Sequence, residues 1–385
     1  MGPLKGYRII EMAGIGPAPF AGMLFADMGA EVIRVDRQEA TDLGLPGREP
    51  KFDVLHRGRR SIAVDVKAEA GREVVKRLVA KADAVIEGFR PGVMERLGLG
   101  PDVLFKVNPK LVFGRMTGFG QDGPLASIAG HDIDYIALSG VLHCIGRKGE
   151  APVPPLNLVG DFGGGGMFLA FGVICALLEA QKSGKGQVVD AAMVDGSATL
   201  MAGIYGMYSH GGWKDERGVN VLDTGAPWYN TYRTKDGKWL AVGAIERRFY
   251  EEFVKGLGLQ LSELPAQHDR KGWPDLQRRF GDTIASKTRA EWERIFEGSD
   301  ACVAPVLALS EIAEHPHNAA RGTFVRRDGV LQPAPAPRFS RTVPEMGGTP
   351  EKPGADTDTV LADFGFASAE IDALKKAGVV GVSKA

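Results

Sequence analysis

The sequence predicts an α/β fold in two parts, a large domain built on a parallel sheet and a smaller α+β domain, and three observations carry this. Short β-branched runs alternate with amphipathic stretches as far as Asp190. Composition then shifts to Gly, Asp and Asn across residues 211–227. Beyond that shift, two short strand-like runs face each other across a Lys235-Asp236-Gly237 turn.

In order, residues 7–11 read as a strand and residues 19–28 as a helix stopped by Gly29, followed by strands at 32–35 and 62–66. Residues 70–81 place Val74, Val75, Leu78 and Val79 on one helical face. Strands at 84–86 and 111–113 follow. After the run Gly163-Gly164-Gly165-Gly166, a helix over 167–182 ends at Ser183-Gly184-Lys185-Gly186, and a sixth strand at 187–190 leads into an apolar helix reaching about Tyr208. Strand–helix–strand repetition of this kind implies parallel strands with right-handed crossovers, a Rossmann-like core. The D-G turn between 229–232 and 239–242 signals a hairpin. The expected organisation is 1–210 as the first part of the large domain, 211–227 as linker and 228–310 as the small α+β domain. Residues 311–345 follow as a proline-rich crossing linker, and 346–385 as a helical segment returning to the large domain.

The chain has 385 residues, with 47 Lys and Arg against 48 Asp and Glu. No pervasive basic field exists, so nucleic acid is not the expected partner, and an anionic ligand must be met by local arginines. Three scattered cysteines, Cys144, Cys175 and Cys302, form no disulfide framework and read as buried thiols in a reducing compartment. The uncharged runs 162–178 and 196–213 are interrupted by glycine, so no membrane span is expected. Lys5, Arg8 and Glu11 interrupt any signal-peptide pattern. Cytoplasm is the default location, although Ser383-Lys384-Ala385 lies one residue from a peroxisomal address.

Gly14-Ile15-Gly16 with Asp36 invites a dinucleotide reading, but Pro17 and Pro19 occupy the turn where the fingerprint needs a third glycine. The ends of consecutive strands carry Arg37, Asp65-Val66-Lys67 and Gly88-Phe89-Arg90, with Arg96 beyond and Arg57-Gly58-Arg59-Arg60 upstream. Guanidinium forks and backbone donors at strand ends suit a phosphorylated nucleotide.

Several motifs carry a more specific resemblance. Phe89-Arg90-Pro91-Gly92, Gly118-Phe119-Gly120-Gln121-Asp122-Gly123-Pro124, Gly130-His131-Asp132-Ile133-Asp134-Tyr135 and Gly184-Lys185-Gly186-Gln187-Val188-Val189-Asp190 resemble the family III coenzyme A transferase superfamily. Pro155-Leu156-Asn157-Leu158-Val159-Gly160-Asp161-Phe162, Gly243-Ala244-Ile245-Glu246 and Asp300-Ala301-Cys302-Val303-Ala304-Pro305-Val306 resemble its α-methylacyl-CoA racemase branch. The resemblance implies that coenzyme A, part of the substrate rather than a cofactor, lies across the strand ends. Arg37 would face the adenine, with Val64, Asp65, Val66, Lys67, Gly88, Phe89, Arg90 and Arg96 lining the rest. Gly130, Asp132 and Tyr135 would complete the substrate contacts. It also implies an interlocked homodimer with sites shared between chains.

Inverting a carbon next to a thioester needs two proton-transfer groups flanking it and donors aimed at the oxygen. His131, in a loop that should open a helix, and Asp161, suited also to an N-cap, meet the first need. The Asp132 backbone N–H is the candidate oxyanion donor, and the glycine run would bring backbone N–H groups close to ligand. By resemblance, Glu246 reaches the partner chain's site and orients His131, while Arg247 and Arg248 replace the branch's usual Pro-Gln. Other chemistries lack residues: no G-x-S-x-G elbow occurs, and His315-Pro316-His317 lacks the carboxylates or thiolates of a metal site. Two other readings stay open. One is a coenzyme A transferase with Asp161 as nucleophile; the other is a non-catalytic acyl-CoA-binding protein.

Overall fold

The computed structural model describes residues 2–38 and 49–382. The Ser383-Lys384-Ala385 reading lies outside them. The chain forms two compact units, one of residues 1–139, 156–200 and 317–385, the other of 140–155 and 201–316.

The first unit is built on a seven-stranded sheet. Its strands β1 (Arg8–Met12), β2 (Glu31–Asp36), β3 (Arg60–Val64), β4 (Ala84–Glu87), β5 (Val112–Thr117) and β6 (Gln187–Ala192) are all parallel, in the order 3-2-1-4-5-6. Strand alternation explains the two cores. Ile10, Met12, Ile33, Val35, Ile62 and Val64 point to one face, where α2 (Glu69–Val79) adds Val74, Val75 and Leu78. Ile9, Val32, Ala84 and Ile86 point to the other, met by α1 (Pro17–Asp27) and α7 (Met167–Ser183). Buried on both faces, β1 to β5 must read as near-continuous apolar runs, which is how the sequence betrayed them, whereas the edge strand β6 is exposed over most of its length.

Helix α7 extends a π-helix, Leu158–Gly166, and the 26-residue rod Leu158–Ser183 is long and apolar enough to cross a membrane by length and composition. Leu169, Val173 and Leu177 instead cover the sheet, the position of a core helix. The glycine run 163–166 within the π-helix serves packing rather than ligand approach, contrary to the sequence expectation. A Cβ on Gly164 would stand 2.6 Å from the Ser197 nitrogen, and one on Gly166 would stand 2.7 Å from the Pro17 oxygen. Protein backbone from α1 and α8 (Met193–Leu200) therefore fills the space. The apolar stretch after β6 is two helices, α8 and α9 (Ala202–Ser209), rather than one.

The expected crossing linker, 311–345, contains a hairpin, β10 (Phe324–Arg327) with β11 (Val330–Pro333), and the expected helical segment, 346–385, also carries a short antiparallel edge strand, β12 (Val380–Gly381), on β3. Helices Thr357–Asp363 and Ser368–Lys376 add Val360, Leu361 and Ile371 to the first core.

The second unit packs Trp228, Phe253, Phe280 and Trp292 between a three-stranded sheet and helices α10 (Arg247–Gly256), α11 (Trp273–Ile284) and α12 (Arg289–Phe296). The sheet is the expected hairpin, β7 (Tyr229–Arg233) with β8 (Trp239–Gly243), plus β9 (Val303–Pro305). Residues 140–155 join this unit because side chains tie them to it. Arg147 donates to Asn230 and Thr231, and Arg217 donates to the carbonyls of His143 and Glu150. Residues 211–227 form an ordered knot rather than a free linker, since buried Asn220 donates to Lys214, Glu216 and Asp223. The cysteines are not buried as expected: Cys144 is half-buried, and Cys175 and Cys302 are exposed.

The close approach of α8 to the π-helix gives a direct test. A Cβ on Gly196 would lie 1.8 Å from the Gly164 carbonyl oxygen, so Gly196→Ala should destabilise the fold by about 1–3 kcal/mol. Equilibrium denaturation measures this, and an unchanged midpoint would refute the packing described.

Candidate active site

In a sheet of order 3-2-1-4-5-6, the crossovers change direction between β1 and β4, and ligands bind at the carboxyl ends of those strands. Two turns meet there. After β1, Gly14-Ile15-Gly16 leads into α1, and Gly16 takes a φ of 69°. After β4, Gly88 lies so close to α1 that a Cβ would touch the Ala18 methyl at 3.4 Å. Asp161 stands at this crevice, because a Cβ on Gly16 would lie 3.3 Å from its Oδ2.

His131 is the N-cap of α5 (Asp132–Leu138), as its motif suggests. Its backbone N–H donates to the Asp134 carboxylate at 2.9 Å, which fixes the helix start and leaves the imidazole exposed. Behind it, the Tyr135 hydroxyl donates to the Gly130 carbonyl, and its ring packs edge-on against Phe119 at 4.9 Å. Glycine is needed at 118 and 130 because a Cβ would stand 2.1 and 2.8 Å from that ring. Gly130 and Tyr135 thus brace the His131 loop. Burial and the carboxylates of Asp161, Asp134 and Asp132 push the Tyr135 phenol up to about 12, so it stays protonated.

The next residue joins the two candidate proton-transfer groups. The buried Asp132 side chain turns inward, and its Oδ2 accepts the Asp161 backbone N–H at 2.7 Å. A Cβ on Gly160 would stand 2.4 Å from the same oxygen, so glycine at 160 admits the bond. Asp161 lies inside the π-helix and is not an N-cap, because Asn157 holds that place. Asn157 Nδ2 donates to Asp161 Oδ2 at 3.1 Å. Burial raises the Asp161 carboxyl above its ordinary value and Asp132 adds to this, while Asn157 and His131 act against it.

The expected coenzyme-binding residues lie along the same sheet edge. Arg37 is exposed after β2. Val64 ends β3 and is buried in the core, with Val66 packed against that core; Asp65 accepts the backbone N–H of exposed Lys67 at 3.0 Å. Gly88 and Arg90 are exposed after β4, and Arg96 is exposed at the end of α3 (Val93–Arg96). Asp36, the residue at the ribose-binding position of a dinucleotide site, is engaged by Arg34 at 2.6 Å and Ser61 at 2.5 Å.

The arginines of the run 57–60 do not meet phosphate as expected. Their guanidiniums hold the fold instead: Arg57 pairs with Asp27 at 2.5 Å, Arg59 with Glu11 at 2.7 Å, and Arg60 with Asp363 at 2.7 Å. Sequence reasoning also missed Asn157 and the Asp132 carboxylate. The four-residue spacing of Asn157 and Asp161 was a helical signal hidden by the glycines around it.

Glu246 belongs to the second unit, where it is the exposed N-cap of α10 and makes no capping bond through its side chain. Its two unusual neighbours are occupied elsewhere. Arg247 pairs with Glu251 at 2.7 Å, and Arg248 lies 4.3 Å over the Phe249 ring.

The profile of CoA-transferase family III matches residues 4–359. The chain belongs to this family. It is 49% identical to an alpha-methylacyl-CoA racemase of Mus musculus over 371 residues, covering 96% of this chain and 95% of that one. It is 45% identical to an alpha-methylacyl-CoA racemase of Homo sapiens over 384 residues, covering 99% and 98%. Among solved structures, a CAIB/BAIF family protein from Brucella suis superposes with a TM-score of 0.80 at 26% identity, covering 94% of this chain and 99% of that one.

The electrostatics of Asp161 can be read directly. In a carbon-13 titration of the intact chain, the Asp161 carboxyl should titrate above an exposed aspartate. Asn157→Ala should move it higher, since the lost bond favours the charged form. A downward move would contradict the contact.

Proposed function

We propose that this protein inverts C2 of 2-methylacyl-CoA thioesters by proton removal and return through an enolate. The Asp132 side chain carries the proposal, because its bond to the Asp161 amide joins the loop that presents His131 to the π-helix that presents Asp161. One of the two removes the C2 proton, leaving charge on the thioester oxygen, and the other returns a proton to the opposite face. The Asp132 backbone N–H, first in α5, has no acceptor within its own helix and serves the oxygen. Coenzyme A enters as part of the substrate, along Arg37, residues 64–67 and 88–90, and Arg96. Asp161, raised by burial, holds a proton at higher pH than an exposed aspartate, which suits the donor role.

The second part of the proposal is assembly. Met167, Phe171, Cys175 and Leu178 lie on one face of α7, and all four are exposed, Phe171 to 67%. Helix α9 buries none of its residues, although it carries Ile204, Tyr205, Met207 and Tyr208. Apolar faces of this size call for a cover, and a second copy supplies it in an interlocked homodimer. Glu246 then reaches the partner chain's site, where its carboxylate orients His131 for one enantiomer while Asp161 serves the other. Three free cysteines, two of them exposed, fit a reducing compartment such as the cytoplasm.

Proton NMR in D₂O should show the C2 hydrogen of 2-methylacyl-CoA exchanging without any acceptor acid. Asp161→Asn and His131→Gln should each lower turnover roughly 10²- to 10⁴-fold while coenzyme A binding persists. A transferase would instead keep the C2 hydrogen and move coenzyme A only when an acceptor acid is added. A binding protein would do neither.

Sharing of sites has its own measurement. Refolding His131→Gln chains together with Glu246→Gln chains yields hybrid dimers in which one site carries both changes and the other carries none. Activity should reappear on mixing, and two variants that stay inactive together would exclude a site built from both chains.

A further inference from the structure

Three charged side chains stand abreast at the carboxyl edge of the sheet. Glu87 on β4 is the register partner of Arg115 on β5, which is the register partner of Asp190 on β6. Arg115 is 7% exposed and Glu87 1%. Arg115 Nε donates to Glu87 Oε1 at 3.0 Å, and its two terminal nitrogens donate to the two oxygens of Glu95 at 2.7 and 3.1 Å. The other oxygen of Glu87 accepts the Phe89 backbone N–H at 2.6 Å.

One guanidinium thereby reaches two pieces of backbone. Through Glu87 it holds the turn Gly88-Phe89-Arg90, and through Glu95 it holds the short helix that ends in Arg96. We infer that Arg115 is a positioning residue for coenzyme A recognition, holding Glu87 and Glu95 so that the 88–90 turn and Arg96 present one preformed surface to the nucleotide and its phosphates. This rests on the acyl-CoA reading above.

The choice of residues supports it. Burial pushes the Glu87 carboxyl up to about 7, and the Phe89 N–H and the Arg115 guanidinium act against this by favouring the charged form. A carboxylate grips the Phe89 amide more strongly than a neutral acceptor does. Only arginine, with its fixed fork of donors, spans two acids at once; a lysine offers a point charge. Arg90 and Arg96 themselves are exposed and face outward from this frame.

The test is calorimetric titration of the full chain with coenzyme A, beside steady-state kinetics. Arg115→Met should raise the Kd for coenzyme A and the KM for the thioester about tenfold, with kcat at saturation changed less than about twofold. Arg115→Lys should recover only part of the affinity. Glu95→Ala, at a side chain 45% exposed, spares the fold if Arg115→Met does not, and should raise both constants about threefold. A folded Arg115→Met or Glu95→Ala protein with wild-type Kd, or one losing kcat at unchanged KM, overturns the inference. If the unaltered chain itself fails to bind coenzyme A, the acyl-CoA reading falls and this inference falls with it.

Discussion

A single hydrogen bond, from the Asp161 amide to the Asp132 carboxylate at 2.7 Å, sets the geometry of the site. A buried carboxylate is tolerated only when bonded, and a charge-assisted bond of this kind contributes about 1.5–3 kcal/mol. It joins residues 29 apart in the chain, so α5 and the π-helix must approach closely enough to make it. Glycine at 160 is a consequence, because any side chain there would displace the carboxylate. His131 inherits its place from the same constraint, being the residue before Asp132 and the cap of the helix that Asp132 begins.

The surrounding architecture keeps that approach close. The π-helix has no side chains over residues 163–166, so α1 and α8 lie directly on its backbone. Helix α1 is itself tied down from the other side. Asp27 within it meets buried Arg57, Arg59 donates to the Pro19 carbonyl, and the Glu11 carboxylate on β1 faces Arg59 at 2.7 Å. Buried ion pairs are poor evidence for stability, since desolvation offsets most of the attraction. Their effect here is to fix position: losing one partner would leave an unpaired charge inside, and α1 would shift against the crevice it walls.

Much of this was legible in the residues. Strands β1 to β5 stood out because both their faces are buried, and Gly184 marked a helix end because it takes a φ of 75° there. The His131 helix start and the hairpin turn at Asp236-Gly237 were equally plain. What escaped depends on partners distant in sequence. Arg57, Arg59 and Arg60 sit where phosphate-binding arginines could sit, and nothing local reveals that Asp27, Glu11 and Asp363 claim them. The glycine run invited a ligand because glycines let one approach backbone N–H groups at a helix start, yet close packing made a π-helix of it. Edge strand β12 is two residues long and carries almost no pattern.

The rod formed by the π-helix and α7 has an implication of its own. Asp161 rides near one end, and the oily stripe of Met167, Phe171 and Leu178 begins less than two turns later on the same unbroken backbone. A bend in the backbone between them would therefore move the carboxyl group and that flank relative to one another. Were a second copy to cover that stripe, as proposed, dilution would bare the flank of the same rod that carries Asp161 while the chain itself stayed folded.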